Sequence, residues 1–295
     1  MFMFNFVKTS LVLSTLLLIS CGVGESRVDA DAQGFAEVGA QGFAENGIFT
    51  GSLPEGGMLL ILERGSYFLV AGDIASQGSY QIDSFQLSGS GPAYSLSANG
   101  ELTGALQLRG EYRTDRNLEL IWTESSTRSE RSLNVEATLL YYEEASLDNV
   151  LGTWINQDEA NLVIFGISEN KNKDPIGGDD FDAERALEFR TAEIDGIIVS
   201  SLTQISGSIT ENPFGANVYS IELDFGGSLG GGSGATDSFN GYVITSEENV
   251  ETQSDVEGEP PTLQLRPTIL ILAASPSAVY LNKLFGVSED ELSES

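Results

Sequence analysis

Histidine is absent from the 295-residue chain, cysteine occurs once, and lysine plus arginine number 14 against 44 aspartates and glutamates. Each shortage excludes something. Without histidine there is no Ser-His-Asp or Cys-His nucleophile pair and no imidazole-ligated zinc, iron or copper site. With Cys21 alone there is no intramolecular disulfide, so folding rests on packing. A net charge of −30 and a pI near 4.1 set the chain against nucleic-acid backbones and anionic lipid headgroups as direct partners. Beyond Lys8 in the N-terminal segment, lysine nucleophiles are limited to Lys171, Lys173 and Lys283, all in or beside polar stretches. Carboxylate-pair glycoside chemistry is the enzymatic route left, and among 44 acids the sequence singles out no pair. The expectation is a protein without catalysis and without a cofactor. An apolar content of 41% is enough for real cores.

The N-terminus carries the clearest signal that is present. A short first segment with one positive charge, Lys8, leads into a mainly apolar stretch over 11–19, interrupted only by Ser14 and Thr15. That is the size of a signal h-region and short for a membrane span of about 20 residues. It ends in Leu18-Ile-Ser-Cys21, which resembles the bacterial lipobox: aliphatic residues, a small residue, then cysteine. The resemblance implies cleavage before Cys21, lipid on its thiol and amine, and anchoring in the membrane through acyl chains. Each buried CH₂ contributes about 0.8 kcal/mol, so two or more chains hold stably where one does not. Gly22 in place of an aspartate after the cysteine implies, by the same resemblance, export to the outer membrane. Residues 1–20 are therefore read as the lipoprotein signal peptide.

Residues 21–46 read as a flexible tether. It holds a tandem octad, Ala32-Gln-Gly-Phe-Ala-Glu-Val-Gly39 and Ala40-Gln-Gly-Phe-Ala-Glu-Asn-Gly47, differing at one position. Two copies are too few for a solenoid, so a linker is expected, with Phe35 and Phe43 docking on a partner as the alternative.

From Gly47 the apolar period becomes two. Strands are predicted over 48–52, 58–64, 66–71, 79–88, 93–97, 102–112, 117–124 and 132–142. The cleanest alternation is Leu133, Val135, Ala137, Leu139 and Tyr141 against Ser132, Asn134, Glu136, Thr138 and Leu140. Turn signals such as Gly89-Ser-Gly-Pro92 and Ala98-Asn-Gly100 separate the runs. A single helical turn over 145–151 is followed by a strand opening at Gly152-Thr-Trp154. Further strands are predicted at 161–168, 186–190, 196–209, 217–225, 239–245, 262–266 and 268–273. Ser275-Pro-Ser277 reads as the N-cap of a short C-terminal helix through Phe285, with Gly286 as its stop. The fold class is all-β: two tandem small antiparallel β-barrel or sandwich domains, over 47–144 and 147–287, then an acidic tail over 288–295.

Gly152-Thr-Trp154, preceded by Leu147-Asp-Asn-Val-Leu151, resembles the opening of calycin barrels, in which a G-x-W begins the first strand after a short helical turn. The stretch Gly152-Thr-Trp-Ile-Asn-Gln157 is also similar to the first strand of streptavidin-type proteins. That likeness implies an asparagine, here Asn156, facing biotin. Biotin sites of that kind are walled by several tryptophans, and this chain has only Trp122 and Trp154, one in each half. Gly100-Glu-Leu-Thr-Gly104 and Asn217-Val-Tyr219 resemble segments of two-domain β lipoproteins of Gram-negative bacteria, a likeness that implies no activity.

Three clusters are candidates for chemistry. Asp179, Asp180, Asp182 and Glu184 lie in one glycine-containing acidic segment and could offer oxygens to calcium, which takes six to eight of them. The segment lacks the EF-hand order, so a solvated acidic loop with at most weak calcium affinity is expected. Six acids over 247–259, ending at Pro260-Pro261, read as a self-repelling extended link, with capture of a basic partner as the alternative. The glycine-rich 226–234 has no following Lys-Ser/Thr and reads as a hairpin tip rather than a phosphate cradle. Tyr94, Tyr112, Trp122, Tyr141 and Trp154 read as core and rim aromatics, or as the lining of a barrel mouth. The functional expectation is a lipid-anchored outer-membrane protein acting as a structural or interaction module with an envelope protein partner. The alternative is a calycin-like carrier holding a small apolar ligand in one barrel.

Overall fold

The computed structural model describes residues 46–51, 57–62, 65–97, 100–114, 116–143, 145–169, 190–211, 216–228, 237–252 and 262–287. The chain divides into two compact units: residues up to Tyr142 with Pro276–Val279, and Glu143–Ser275 with Tyr280 onward. Each contains a closed, eight-stranded antiparallel barrel.

Barrel 1 is a meander of β1 (Gly47–Gly51), β2 (Gly57–Leu62), β3 (Ser66–Ala71), β4 (Ile74–Asp83), β5 (Gln86–Ser95), β6 (Glu101–Tyr112), β7 (Asn117–Glu124) and β8 (Glu130–Ala137). Every strand pairs with the next, and β8 returns to β1 through Phe49↔Ala137, Thr50↔Glu136 and Gly51↔Val135. Period-two alternation decides the inside. Leu118, Leu120 and Trp122 of β7 face inward with Leu106, Leu108 and Tyr112 of β6 and with Leu133 and Val135 of β8. Strand β2 is buried along its whole length and β3 from Tyr67 onward. An eight-stranded barrel is just wide enough for side chains to fill. Gly51 and Gly57 leave room for Leu133, and Gly110 for Leu118 and Leu120.

Barrel 2 runs through β9 (Gly152–Ile155), β10 (Val163–Glu169), β11 (Thr191–Ile198), β12 (Thr203–Thr210), β13 (Tyr219–Ser228), β14 (Asp237–Thr252), β15 (Thr262–Ala274) and β16 (Val279–Val287). It closes where β16 meets β9, with Phe285↔Ile155 and Gly286↔Trp154 in register. The inward set includes Trp154, Phe165, Ile194, Ile205, Ile221, Leu223, Phe239, Val243 and Ile271, all buried. Strands β14 and β15 outrun their neighbours. The β13 pairing ends at Tyr219↔Val243, whereas β14 and β15 stay paired to Thr252↔Thr262. Nine residues of β14 beyond its pairing to β13 run on with β15, roughly 30 Å of strand.

The structure corrects several expectations. The C-terminal helix is strand β16, because barrel 2 needs an eighth strand between β15 and β9, and Val279-Tyr-Leu-Asn-Lys-Leu-Phe supplies β-favouring residues for it. The turn at Gly89-Ser-Gly-Pro92 is the middle of β5, and the real turn is Ser84-Phe85, with Ser84 at φ 58°. The run 196–209 is two strands, turning at 199–202 with Leu202 at φ 55°. Strand β8 stops at Ala137 and gives way to a 3₁₀ turn, Leu139–Tyr142. Thr138 donates to Ile48 O, and β1, which starts at Gly47, has no ladder left to offer beyond it.

Candidate functional site

In barrel 2 the single turn before Gly152 is a 3₁₀ turn, Leu147–Asn149. Ser146 caps it by accepting from the Asp148 N–H. Leu147 and Val150 are fully buried, and the Trp154 indole donates to Val150 O at 2.8 Å. Polar bonds fix the turn to the strand ends. Ser146 N–H donates to the Tyr219 hydroxyl at 3.0 Å, which donates back to Ser146 O at 2.8 Å. Leu147 N–H donates to Glu211 Oε1 at 2.5 Å. Arg190 bridges Asp148 at 3.0 Å and Glu169 at 3.2 Å, with Glu211 at 3.8 Å. Burial raises the Tyr219 phenol above its ordinary range, so it remains a neutral donor. This constellation covers one end of the barrel and holds no free nucleophile.

At the other end the Phe225 ring meets Phe239 and Tyr280 edge-on, with centroids 5.1 and 5.0 Å apart. Asn282 donates from Nδ2 to the Tyr280 hydroxyl at 2.9 Å. Burial pushes that phenol well above its ordinary value. Phe225, Tyr280 and Asn282 are part-exposed, so this end of barrel 2 presents an aromatic rim.

Barrel 1 carries polar groups inside as well. Tyr67 and Ser76 share a buried hydrogen bond at 2.9 Å, and burial pushes the Tyr67 phenol up to about 12. Glu124, only 7% exposed, accepts from Thr103 Oγ1 at 2.7 Å. These groups are satisfied in local pairs and do not converge on one point.

The five aromatics singled out in the sequence are all buried. Tyr112 and Trp122 belong to the barrel 1 core. Asn156 is occupied within its own hairpin, donating from Nδ2 to Asn161 O at 2.9 Å and accepting from Val163 N at 2.9 Å. Cys21, the first octad, the second octad as far as Glu45, and the calcium candidates Asp179, Asp180, Asp182 and Glu184 lie outside the described residues. The acidic run from Glu247 is strand as far as Thr252, in place of the expected extended link. The glycine-rich segment begins inside β13, and 229–236 lie outside the described residues. Sequence reasoning missed the Arg190 cluster, whose four members come from four separate segments. It also missed the ion pair of Glu248 with Lys283, which joins β14 to β16. Comparison with protein families, curated proteins and solved structures gave no match.

Proposed function

We propose that the protein is a lipid-anchored envelope component that works without catalysis, as a structural or interaction module. The observation that carries this reading is the local pairing of interior polar groups in two closed barrels. Among the described residues, Tyr67 with Ser76, Glu124 with Thr103 and Tyr280 with Asn282 form separate pairs that bring no nucleophile and base to a common point. The Leu18-Ile-Ser-Cys21 ending of the apolar leader supports the anchor and an outer-membrane address. The test is fractionation of cells expressing Cys21→Ser. Release of the variant into the soluble fraction, with loss of acyl mass at the N-terminus of the wild type, is the expected result. Unchanged membrane retention would mean that the apolar leader itself is the anchor.

A second reading, a carrier for a small apolar ligand, is favoured by the part-exposed Phe225, Tyr280 and Asn282 rim of barrel 2. Native mass spectrometry of the protein purified from cells tests it. A retained apolar adduct lost in Phe225→Asp would support a carrier, and bare protein mass would count against one.

A further inference from the structure

The β14–β15 ribbon runs on past the pairing of β14 to β13 and exposes apolar side chains. Residues opposite each other in a ladder share a face, so Glu247, Asn249, Leu265 and Pro267 lie together on the side that continues the inner wall of barrel 2. Leu263 belongs to the same face. It is 67% exposed and Leu265 is 52% exposed, the former the most exposed large apolar side chain among the described residues. Glu247, Asn249 and Pro267 are exposed beside them.

Among the described residues, the β14 edge of the ribbon has no strand partner. Asn217 covers the β14 edge as far as Thr245, donating from Nδ2 to its carbonyl oxygen at 2.9 Å. Beyond it, β14 pairs only with β15 among the described residues. On the other side β16 reaches Pro267 with Gly286, where the missing side chain makes room for the proline ring. Among the described residues, then, no strand pairs with this edge of β14 beyond Val243, an exposure that natural folds ordinarily blunt.

The charge on this element is predominantly negative. Its described strands carry Glu247, Glu248 and Glu251 against one base, Arg266, and the sequence over 253–261 adds Asp255, Glu257 and Glu259. Among the described residues, Lys283 pairs with Glu248 on the opposite face. Glu143 crowds Glu247: burial first and then that neighbouring carboxylate raise the Glu143 pKa. A second copy of this chain or an anionic surface would meet like charge there.

We infer that the ribbon receives an extended, cationic segment of a partner protein, one in which lysine or arginine alternates with apolar residues, by addition of a strand to its open edge. Main-chain bonds to the ribbon edge supply the register, Leu263 and Leu265 the apolar contact, and Glu247 the charge complement. The inference rests on the interaction-module reading and deepens it by naming the surface and the partner chemistry. It is independent of the anchor, so a failure here leaves the Cys21 fractionation untouched.

The test uses the chain from Cys21 onward in soluble form, with synthetic peptides of roughly ten residues, long enough to span the ribbon. One peptide alternates lysine with valine, one glutamate with valine, and one lysine with serine. The lysine–valine peptide should bind and should slow hydrogen exchange at amides of 246–252 or 262–265. Its Kd should rise about tenfold or more in Leu263→Ser/Leu265→Ser and in Glu247→Lys, with unchanged circular dichroism. Phe85→Ser, an exposed site of barrel 1, should leave binding as it was. Equal binding by the ribbon variants would overturn the proposal. So would equal affinity for the lysine–serine peptide, exchange protection elsewhere, or no binding at all.

Discussion

Barrel 1 and barrel 2 share one topology and differ in what they show to solvent. Residues 46–142 contain 11 acids and 6 bases, whereas residues 143–287 contain 24 acids and 6 bases, net −5 against −18. Inside, the two are alike: both fill the barrel with alternating apolar residues, carry one tryptophan facing inward, and make room for large neighbours with glycine. Their rims and strand lengths diverge. Strands of barrel 1 end close to their partners, with two-residue turns at Gly72-Asp73 and Ser84-Phe85. Barrel 2 extends β14 and β15 into a ribbon and leaves an aromatic rim part-exposed. The inward face decides the fold and tolerates little. The outward face and the ends are free to diverge, and there barrel 2 has accumulated charge, length and exposed leucines.

The likeness of the two interiors is broken most severely by removing their tryptophans. Trp122→Ala should destabilise barrel 1 by about 3–5 kcal/mol, as large aromatic truncations in packed cores do. Trp154→Ala should cost barrel 2 a similar amount, with the Val150 bond lost in addition. Hydrogen exchange in urea, read barrel by barrel, checks both. A loss under about 1 kcal/mol in either would mean that its interior is not packed as described.

Tyr67 gives the next effect. Tyr67→Phe removes the partner of fully buried Ser76 and should cost roughly 1–3 kcal/mol. The phenol is raised from 10.0 to about 12 by burial, so the fold favours its neutral form. Its contribution is complete below about pH 10 and is lost as the pH climbs through about 12. Wild-type stability should therefore fall across that alkaline window, and tyrosinate absorbance in barrel 1 should rise together with unfolding.

Salt should separate the two barrels by a smaller margin. Screening relieves self-repulsion, so raising ionic strength from about 0.02 to about 0.5 M should stabilise the −18 unit more than the −5 unit. Smaller still is Arg190→Gln, within about 1 kcal/mol because the ion pairs are solvent-screened. Its readout is local: faster exchange at the Leu147 amide, whose acceptor Glu211 then stands among uncompensated carboxylates.

How much of this was legible depends on what each residue was asked to do. Strands β3 and β7 fall on their expected bounds because both have clear apolar runs between polar turns. The error at Gly89-Ser-Gly-Pro92 has a specific cause. Gly78 and Gly91 face each other where β4 and β5 approach closely, and a Cβ at Gly78 would run into the Ser90 carbonyl. Glycine there serves close approach, which a sequence read for turns mistakes for a turn. The turn at 199–202 carries no glycine or proline to announce it. Pro267 suggested a break, yet β15 continues through it, with Gly286 across the ladder to accept the ring. The helix signal at Ser275-Pro-Ser277 is local, whereas the demand for a closing strand is global, and barrel closure prevails. The Arg190 cluster and the Glu248–Lys283 pair join residues far apart in the chain, and single-sequence patterns carry no trace of such meetings.

The difference between the barrels is tested most directly by site-specific photo-crosslinking in intact cells. A photoreactive residue is placed at Leu265 on the ribbon or at Phe85 on barrel 1, both exposed apolar positions. The account predicts a discrete cross-linked partner from Leu265, joined through a segment in which basic and apolar residues alternate, and none from Phe85. Equal partners from both positions, or a partner from Phe85 alone, would contradict it.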